Sequence, residues 1–350
     1  MIKVGILGAS GYTGFELVRI LRNHAEVEIC ALGANSRAGQ KLEDLFDGLS
    51  GWDGLPVLKT IEQIDFKSLD VVFCALPHGQ SARTVNQLLN HEGVGLVIDL
   101  SNDHRLSDYT AYAGIEGDHP YPENAKSAIY GLAEWYRHEI VGARLIANPG
   151  CYPTSILLPL LPLIKSGQIN PGRVVANSAS GTTGAGRGAS VGQLHSEVSE
   201  NFKGYGYGTH RHQLEIQEQL NEASDVKPAR KAIFNPHLLP MNRGILSTIT
   251  LDMQIGVSIQ ECQATLEAAY AHEQFVSVAP QSSFIGTNSV RGTNMCRLAL
   301  HQALNSDQLI ITSAIDNLIK GASGQAVQNM NIALDLDEGL GLSTLTPIMP

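Results

Sequence analysis

The strand-like run Ile2-Lys3-Val4-Gly5-Ile6-Leu7 passes straight into Gly8-Ala9-Ser10-Gly11-Tyr12-Thr13-Gly14, and a helical pattern follows. A strand, a tight glycine turn and a helix in that order constrain the fold more than any other feature of the chain. Glycines let the backbone approach a bound group closely, and the helix start offers that group N–H donors and a positive dipole end. The spacing is G-x-x-G-x-x-G, whereas the commoner dinucleotide fingerprint is G-x-G-x-x-G, so the motif alone is weak and a plain turn can use the same residues. Its place behind the first strand is what points to a pyrophosphate cradle formed by Gly8, Ser10, Gly11, Tyr12, Thr13 and Gly14.

The same alternation continues. Apolar runs at 27–33, 71–76 and 94–100 are separated by helical segments such as Gly14 to Asn23 and Ser81 to His91, which predicts right-handed crossovers and a mostly parallel, doubly wound sheet. After residue 150 the texture changes. Arg173 to Ser180, Lys231 to Phe234, Ile245 to Gln254, Phe275 to Val278, Asn294 to Leu300 and Gln308 to Thr312 read as strands with longer connections, and Gly324 to Leu334 as a last helix. The expected fold class is α/β: a Rossmann-type domain over 1–149, completed by about 315–350, plus an α+β substrate and oligomerisation domain over 150–314.

The second strand ends in Gly33-Ala34-Asn35-Ser36-Arg37, where a protein selecting NAD would offer a carboxylate to the ribose. Ser36 and Arg37 suit a 2′-phosphate instead, so the expected coenzyme is NADP; an ordinary solvated arginine is the plain alternative. Pro77, His78 and Gly79 follow the buried run Val71 to Leu76 and fall at the carboxyl-end crevice where such sheets bind ligands. His78 is equally suited to a turn.

Cys151 stands in Asn148-Pro149-Gly150-Cys151-Tyr152-Pro153-Thr154, ahead of the apolar run Ser155 to Ile164. A thiol at a helix start is favoured as thiolate, the nucleophilic form. Its bland reading is a buried filler. Downstream, Ser180-Gly181-Thr182-Thr183-Gly184-Ala185-Gly186-Arg187-Gly188 has the composition of a backbone nest for an anion, although a flexible linker is also glycine-rich. Gly208-Thr209-His210-Arg211-His212 and Pro236-His237 with Met241-Asn242-Arg243-Gly244 supply histidines for proton transfer and arginines for an anionic substrate, and each histidine taken singly suits a structural role as well. His210 and His212 would share one face of a strand, a possible start to a metal site, but no third ligand joins them and no metal is expected.

With 24 Lys and Arg against 34 Asp and Glu, the net charge of −10 carries no basic block, so neither nucleic acid nor a membrane is an expected partner. The five scattered cysteines show neither a C-x-x-C pair nor an even count, and the chain opens on a strand rather than a leader. Unbridged thiols in a cytoplasmic protein are the expectation.

A dinucleotide domain joined to a cysteine nucleophile and anion-gripping arginines points to an acyl phosphate, taken up as a thioester and reduced to an aldehyde. The residues also resemble a known family, the N-acetyl-γ-glutamyl-phosphate reductases of arginine biosynthesis, relatives of aspartate-semialdehyde dehydrogenase. The resemblance rests on Gly8 to Gly14, Leu76-Pro77-His78-Gly79, Asp99-Leu100-Ser101, Tyr130-Gly131-Leu132, Ala147 to Thr154, Ser180 to Arg187, His210-Arg211-His212, Pro236 to Gly244 and Asp316 to Ala326. It implies Cys151 as the acylated nucleophile and a protonated His210 as the acid/base that helps the semialdehyde leave. It places Arg105, Arg187, Arg211 and His212 at or near the substrate. It also implies that Asn317, Gly321 and Gly324, with Ser180 and Gly181, lie toward the NADP nicotinamide, and that the chain forms a homodimer or homotetramer. His237 and Arg243 are further substrate candidates. The chain departs from the family pattern at Asn102, where the family carries Ala, and at His104, where it carries Phe; Ala133 replaces Pro, Thr183 Ser and Leu214 Pro. Two alternatives stay open: a relative acting on the aminoadipate branch of lysine synthesis, and a redox sensor that binds NADP without catalysis.

Overall fold

β1 (Ile2–Leu7) and α1 (Tyr12–Leu21) flank the glycine turn, and β2 (Val27–Gly33) pairs in parallel with β1. The computed structural model describes residues 1–224 and 231–348, without the side chains of Tyr109, Ile115 and Glu116. β3 (Leu58–Lys59), β4 (Val71–Cys74), α2 (Gln80–Leu89), β5 (Leu96–Asp99), α3 (Tyr109–Glu116), α4 (Pro122–Ser127), β6 (Ile129–Tyr130), α5 (Arg137–Ile140) and β7 (Leu145–Ala147) complete this stretch. Among the described residues the sheet is parallel throughout, in the order β3-β2-β1-β4-β5-β7-β6. The order reverses between β1 and β4, which opens a crevice at their carboxyl ends. Buried on both faces, these strands need no polar alternation, which is why they read as continuous apolar runs. Leu7, Leu69, Val72, Val85, Leu88 and Val97 form one of the resulting clusters.

The second unit begins at Gly150. It contains α6 (Cys151–Lys165), β8 (Val175–Ser180), α7 (His195–Val198), β9 (Lys203–Gly204), α8 (His212–Ala223), β10 (Ile233–Leu238), β11 (Ile245–Asp252), α9 (Ile259–Ala269), β12 (Val276–Val278), β13 (Cys296–Gln302) and β14 (Gln308–Ile315). Its sheet is mixed, ordered β12-β13-β14-β11-β8-β10-β9. Burial alternates strictly along β11, and the buried Ser247 hydroxyl lies 2.7 Å from those of Ser155 on α6 and Ser178 on β8. The second unit runs on to Gly321, as β14 extends to Ile315 and the turn behind it stays with the second sheet. α10 (Gly324–Ala333) then packs in the first unit, while the chain from Leu345 onward groups with the second. In this unit α7, α8 and α9 occupy stretches where no element was expected, as α3, α4 and α5 do in the first. The expected strand at 231–234 instead spans Ile233–Leu238, and residues 225–230 upstream of it lie outside the described residues.

α6 is buried from Tyr152 to Ile164, so it is a core helix rather than an amphipathic one. Pro159 and Pro162 lie inside it and bring no N–H. The carbonyl of Leu158, four residues before Pro162, accepts the Tyr270 hydroxyl instead. This bond replaces the missing helical donor. Removing it in Tyr270→Phe should cost about 1–3 kcal/mol in urea unfolding, the penalty of a buried carbonyl left unsatisfied; an unchanged midpoint would mean that the helix tolerates both prolines unaided.

Candidate active site

Cys151 is the first residue of α6, and Gly150 is its N-cap with φ −67° and ψ 154° and no side chain bonded there. The positive end of a 15-residue helix therefore faces the thiol. The Gly150 N–H donates to Glu215 Oε1 at 2.8 Å, tying the turn to α8. On the other side runs the π-helical turn Ile319–Ser323: a Cβ placed on Gly321 would stand 2.7 Å from the Cys151 Cβ and 3.2 Å from its Cα. Glycine is what lets the two backbones meet. Cys151 is half-buried, whereas Cys74, Cys262 and Cys296 are buried, and none of the five forms a disulfide.

A cavity of about 390 Å³ opens on the sulfur, and its walls include Ser180, Lys203, Tyr205, His210 and Arg211. His210 and His212 do not share a strand face; they stand at the turn into α8, with ring centroids 4.7 Å apart. The His210 ring also meets Tyr152, Tyr205 and Phe234 edge-on at 5.9, 5.6 and 5.4 Å. Burial among these rings, helped by the Arg211 charge, pushes the His210 pKa down to about 4. The His212 backbone N–H donates to His210 Nδ1 at 3.2 Å, so the neutral ring carries its hydrogen on Nε2. The imidazolium expected from the sequence is not the resting form, because a charge would have to be desolvated there. Tyr152 and Tyr205 hold their hydroxyls 3.0 Å apart, and burial raises the pKa of both, keeping them protonated.

Gly181, Gly184 and Ala185 line the cavity with Ser180. The amides of Gly181, Thr182 and Thr183 donate to the carbonyls of Gly244, Met241 and Asn242 at 2.9, 2.9 and 3.2 Å, which stitches the glycine stretch to its neighbour loop. Arg187 sits on its exposed continuation. Arg243 pairs with the buried Asp316 at 3.5 Å and lines a different cavity, with Thr287 and Arg291. His237 Nε2 lies 3.0 Å from the Tyr207 hydroxyl, its ring 5.2 Å from that of Phe202. The Asn317 amide accepts from Gly244 N at 2.8 Å and donates to the Thr183 hydroxyl at 3.0 Å, which staples the loops together. Among the described residues, no three His, Cys, Asp or Glu side chains gather as a metal-ligand set.

In the first unit, Gly8 has φ +84°, and a Cβ there would lie 2.1 Å from the Ala75 carbonyl oxygen; one on Gly14 would lie 2.3 Å from the Gly8 carbonyl oxygen. The turn is therefore restricted to glycine at both positions. Gly11 caps α1, no side chain bonds at that cap, and Ser10, Tyr12 and Thr13 surround it. This open helix start fits a dinucleotide diphosphate. Ser36 and Arg37 are exposed on a 3-10 turn directly after β2. Pro77 and His78 lead to Gly79, which has φ +70° and caps α2. Arg105 spends Nε on the Asn148 carbonyl at 2.8 Å and Nη2 on that of Leu100 at 2.9 Å, so it braces the approach to Pro149. Gly324 is buried at the first residue of α10.

Sequence reasoning missed Lys203, Tyr205, Tyr152 and Glu215. Lys203 is held in β9 opposite Leu238 and lines the cavity with it. A signal was present: Lys203-Gly204-Tyr205-Gly206-Tyr207-Gly208 alternates large polar groups with glycine just ahead of His210.

A model of the semialdehyde dehydrogenase NAD binding domain matches residues 3–143, and one of the semialdehyde dehydrogenase dimerisation domain matches 151–317. Curated relatives named N-acetyl-gamma-glutamyl-phosphate reductase include one from Rhodospirillum rubrum, 48% identical with 100% of this chain and 99% of that one covered, and one from Marinobacter nauticus, 45% identical with 98% of each covered. A probable chloroplastic one from Arabidopsis thaliana is 42% identical over 97% of this chain and 84% of its own. Among solved structures, aspartate semialdehyde dehydrogenase II from Vibrio cholerae superposes with a TM-score of 0.72 at 15% identity, covering 95% of this chain and 98% of that one. A Candida albicans aspartate semialdehyde dehydrogenase with NADP gives 0.64 at 18% identity, covering 95% and 98%.

The depressed His210 pKa has a consequence for stability. Folded, the ring titrates near 4; unfolded, near the ordinary value of about 6.5. Below about 6.5 the unfolded chain therefore binds a proton that the folded chain refuses, so this contribution is whole at pH 7 and is lost as the pH falls toward 4. Urea unfolding at pH 7 and pH 5 should show a smaller loss for His210→Asn than for the parent; equal losses would contradict a neutral His210.

Proposed function

The chain belongs to the N-acetyl-γ-glutamyl-phosphate reductase family, with its two semialdehyde dehydrogenase domains, and from that premise we propose how its own residues carry out the reduction. The enzyme takes N-acetyl-γ-glutamyl phosphate to the γ-semialdehyde and phosphate, the arginine-pathway reaction that the relatives' names describe, through a thioester on Cys151. One observation carries this reading: a half-buried thiol on the first residue of a buried helix shares a cavity with His210, Arg211 and Lys203.

The nicotinamide coenzyme, when bound, supplies hydride to the acyl carbon. Gly8, Gly11 and Gly14 admit its diphosphate to the start of α1, and Arg37 with Ser36 supports NADP over NAD. Cys151 adds to the γ-carbonyl carbon: the carbon–sulfur bond forms and the carbon–oxygen bond to phosphate breaks. Arg211 and Lys203 hold the anionic ends of the substrate. Neutral His210 donates from Nε2 to the acyl oxygen, transfers that proton as negative charge develops, and regains it when the aldehyde carbonyl reforms and sulfur leaves. Tyr205, bonded to Tyr152 and facing the same cavity, is a second donor.

Assembly as a homodimer or homotetramer and a cytoplasmic location belong to the same reading. The shared name of the full-length relatives weighs against the aminoadipate branch, and the cationic cavity beside the thiol weighs against a sensor.

Coenzyme oxidation followed at 340 nm with the acyl phosphate tests this. The parent chain should turn over with NADPH and far less well with NADH. Cys151→Ser should lose at least about 10³-fold in rate while still binding NADPH, since the serine hydroxyl is not ionised by a helix start suited to a thiol. Retained turnover in the serine variant would overturn the thioester route.

A further inference from the structure

We infer that His104 is a positioning residue for the coenzyme loop His78–Gly79, acting through the buried carboxylate of Asp99. The inference rests on the reading that this loop lines the coenzyme site.

Asp99 ends β5 with its side chain fully buried. Four donors converge on it. Oδ1 takes the Ser81 hydroxyl at 2.6 Å and the Ser101 amide at 2.9 Å; Oδ2 takes the Ser101 hydroxyl at 2.8 Å and His104 Nδ1 at 2.6 Å. Burial alone would raise the Asp99 pKa, but the His104 bond and charge, with the Ser81 and Ser101 bonds, outweigh it, so the group stays ionised.

The donors belong to the two segments that fix the loop. Ser81 lies in the first turn of α2, directly behind Gly79. The Ser101 hydroxyl accepts the Asp103 amide at 3.0 Å, and the Asp103 carboxylate in turn takes the amides of Gly79 and Ala82, both at 2.8 Å. The Asn102 amide donates to His78 Nδ1 at 3.3 Å. A continuous chain of bonds thus runs from His104 through Asp99 and Ser101 to Asp103 and Gly79.

His104 packs edge-on to His119 at 5.6 Å, a place that an aromatic hydrocarbon side chain would fill as well. Its Nε2 is buried with no hydrogen-bond partner. That orphaned nitrogen is a cost which a hydrocarbon ring would avoid, so the Nδ1 bond to Asp99 is the feature that the histidine adds. Without it, the buried carboxylate would have to take up a proton, and the new O–H would displace one of the serine donors that set the turn.

Two substitutions separate donor from volume. Asparagine places Nδ2 where His104 has Nδ1 but leaves space; phenylalanine fills the space but donates nothing. NADPH binding to the full chain is measured by fluorescence titration alongside thermal melts. His104→Phe should weaken NADPH binding about tenfold or more, the equivalent of one hydrogen bond to a charged group, with kcat at saturating NADPH changed less than about twofold. His104→Asn should stay within about threefold of the parent affinity despite a lower melting temperature. If phenylalanine binds as the parent does, the ring only fills space, and if asparagine weakens binding as much as phenylalanine, the donated bond does not hold the loop; either result overturns the inference. Should His104→Phe not fold, Ser81→Ala removes another donor from the same carboxylate; a tenfold loss supports the inference and none overturns it. Failure of the parent chain itself to bind NADPH would overturn the coenzyme reading, a result distinct from equal binding by parent and variant.

Discussion

The apolar burial of one helix on every side is the constraint from which the chemistry follows. α6 has no solvent face through which to slide or rotate, and a displacement by a single residue would turn Ser155 away from its hydroxyl partner on β11. Its first residue is thereby held in place, and that residue is Cys151. Gly321 closes against it from one side and Glu215 anchors the preceding amide from the other. A helix N-terminus is worth about 0.3–1 kcal/mol to an exposed anion and up to about 2 when partly buried, or roughly 0.2–1.5 pKa units. Neutral His210 adds no charge, and the cations that line the same cavity are Arg211 and Lys203.

The first unit uses the same physics for a different anion. Gly8 and Gly14 leave no room for a side chain, which keeps the start of α1 open in the way the proposed diphosphate site requires. The neighbouring loop is built from buried carboxylates. Asp99 and Asp103, both without solvent contact, each accept several backbone or hydroxyl donors and so convert the end of β5 into a rigid support for Gly79. Buried charge of this kind is stable only when every donor is in place, which makes the loop sensitive to any one of them.

The parts of this architecture that depend on local pattern were legible in the sequence. β1, β2 and α6 follow from apolar runs and the turns that bound them, and the glycine turn between β1 and α1 was legible from its place behind β1. Long-range pairing is what local pattern could not show. The stretch Gly181 to Thr183 has the composition of a nest, yet its amides are taken by carbonyls at 241–244, which no local pattern reveals. Arg243 is drawn to Asp316, 73 residues away, and the proline-bearing α6 depends on Tyr270, 112 residues from its partner. α9 is a different kind of miss, since Ser258 and Glu261 form a capping box that was readable. The tautomer of His210 lies beyond any sequence, because it depends on which backbone amide meets Nδ1.

The proposed thioester route requires Cys151 to be ionised at the pH where the enzyme works. The most direct test is the pH dependence of its alkylation by iodoacetamide, followed at that residue by mass spectrometry. Half-maximal reactivity well below the value of about 8.5 for an unperturbed cysteine is predicted. Half-maximal reactivity at or above that value would contradict the account.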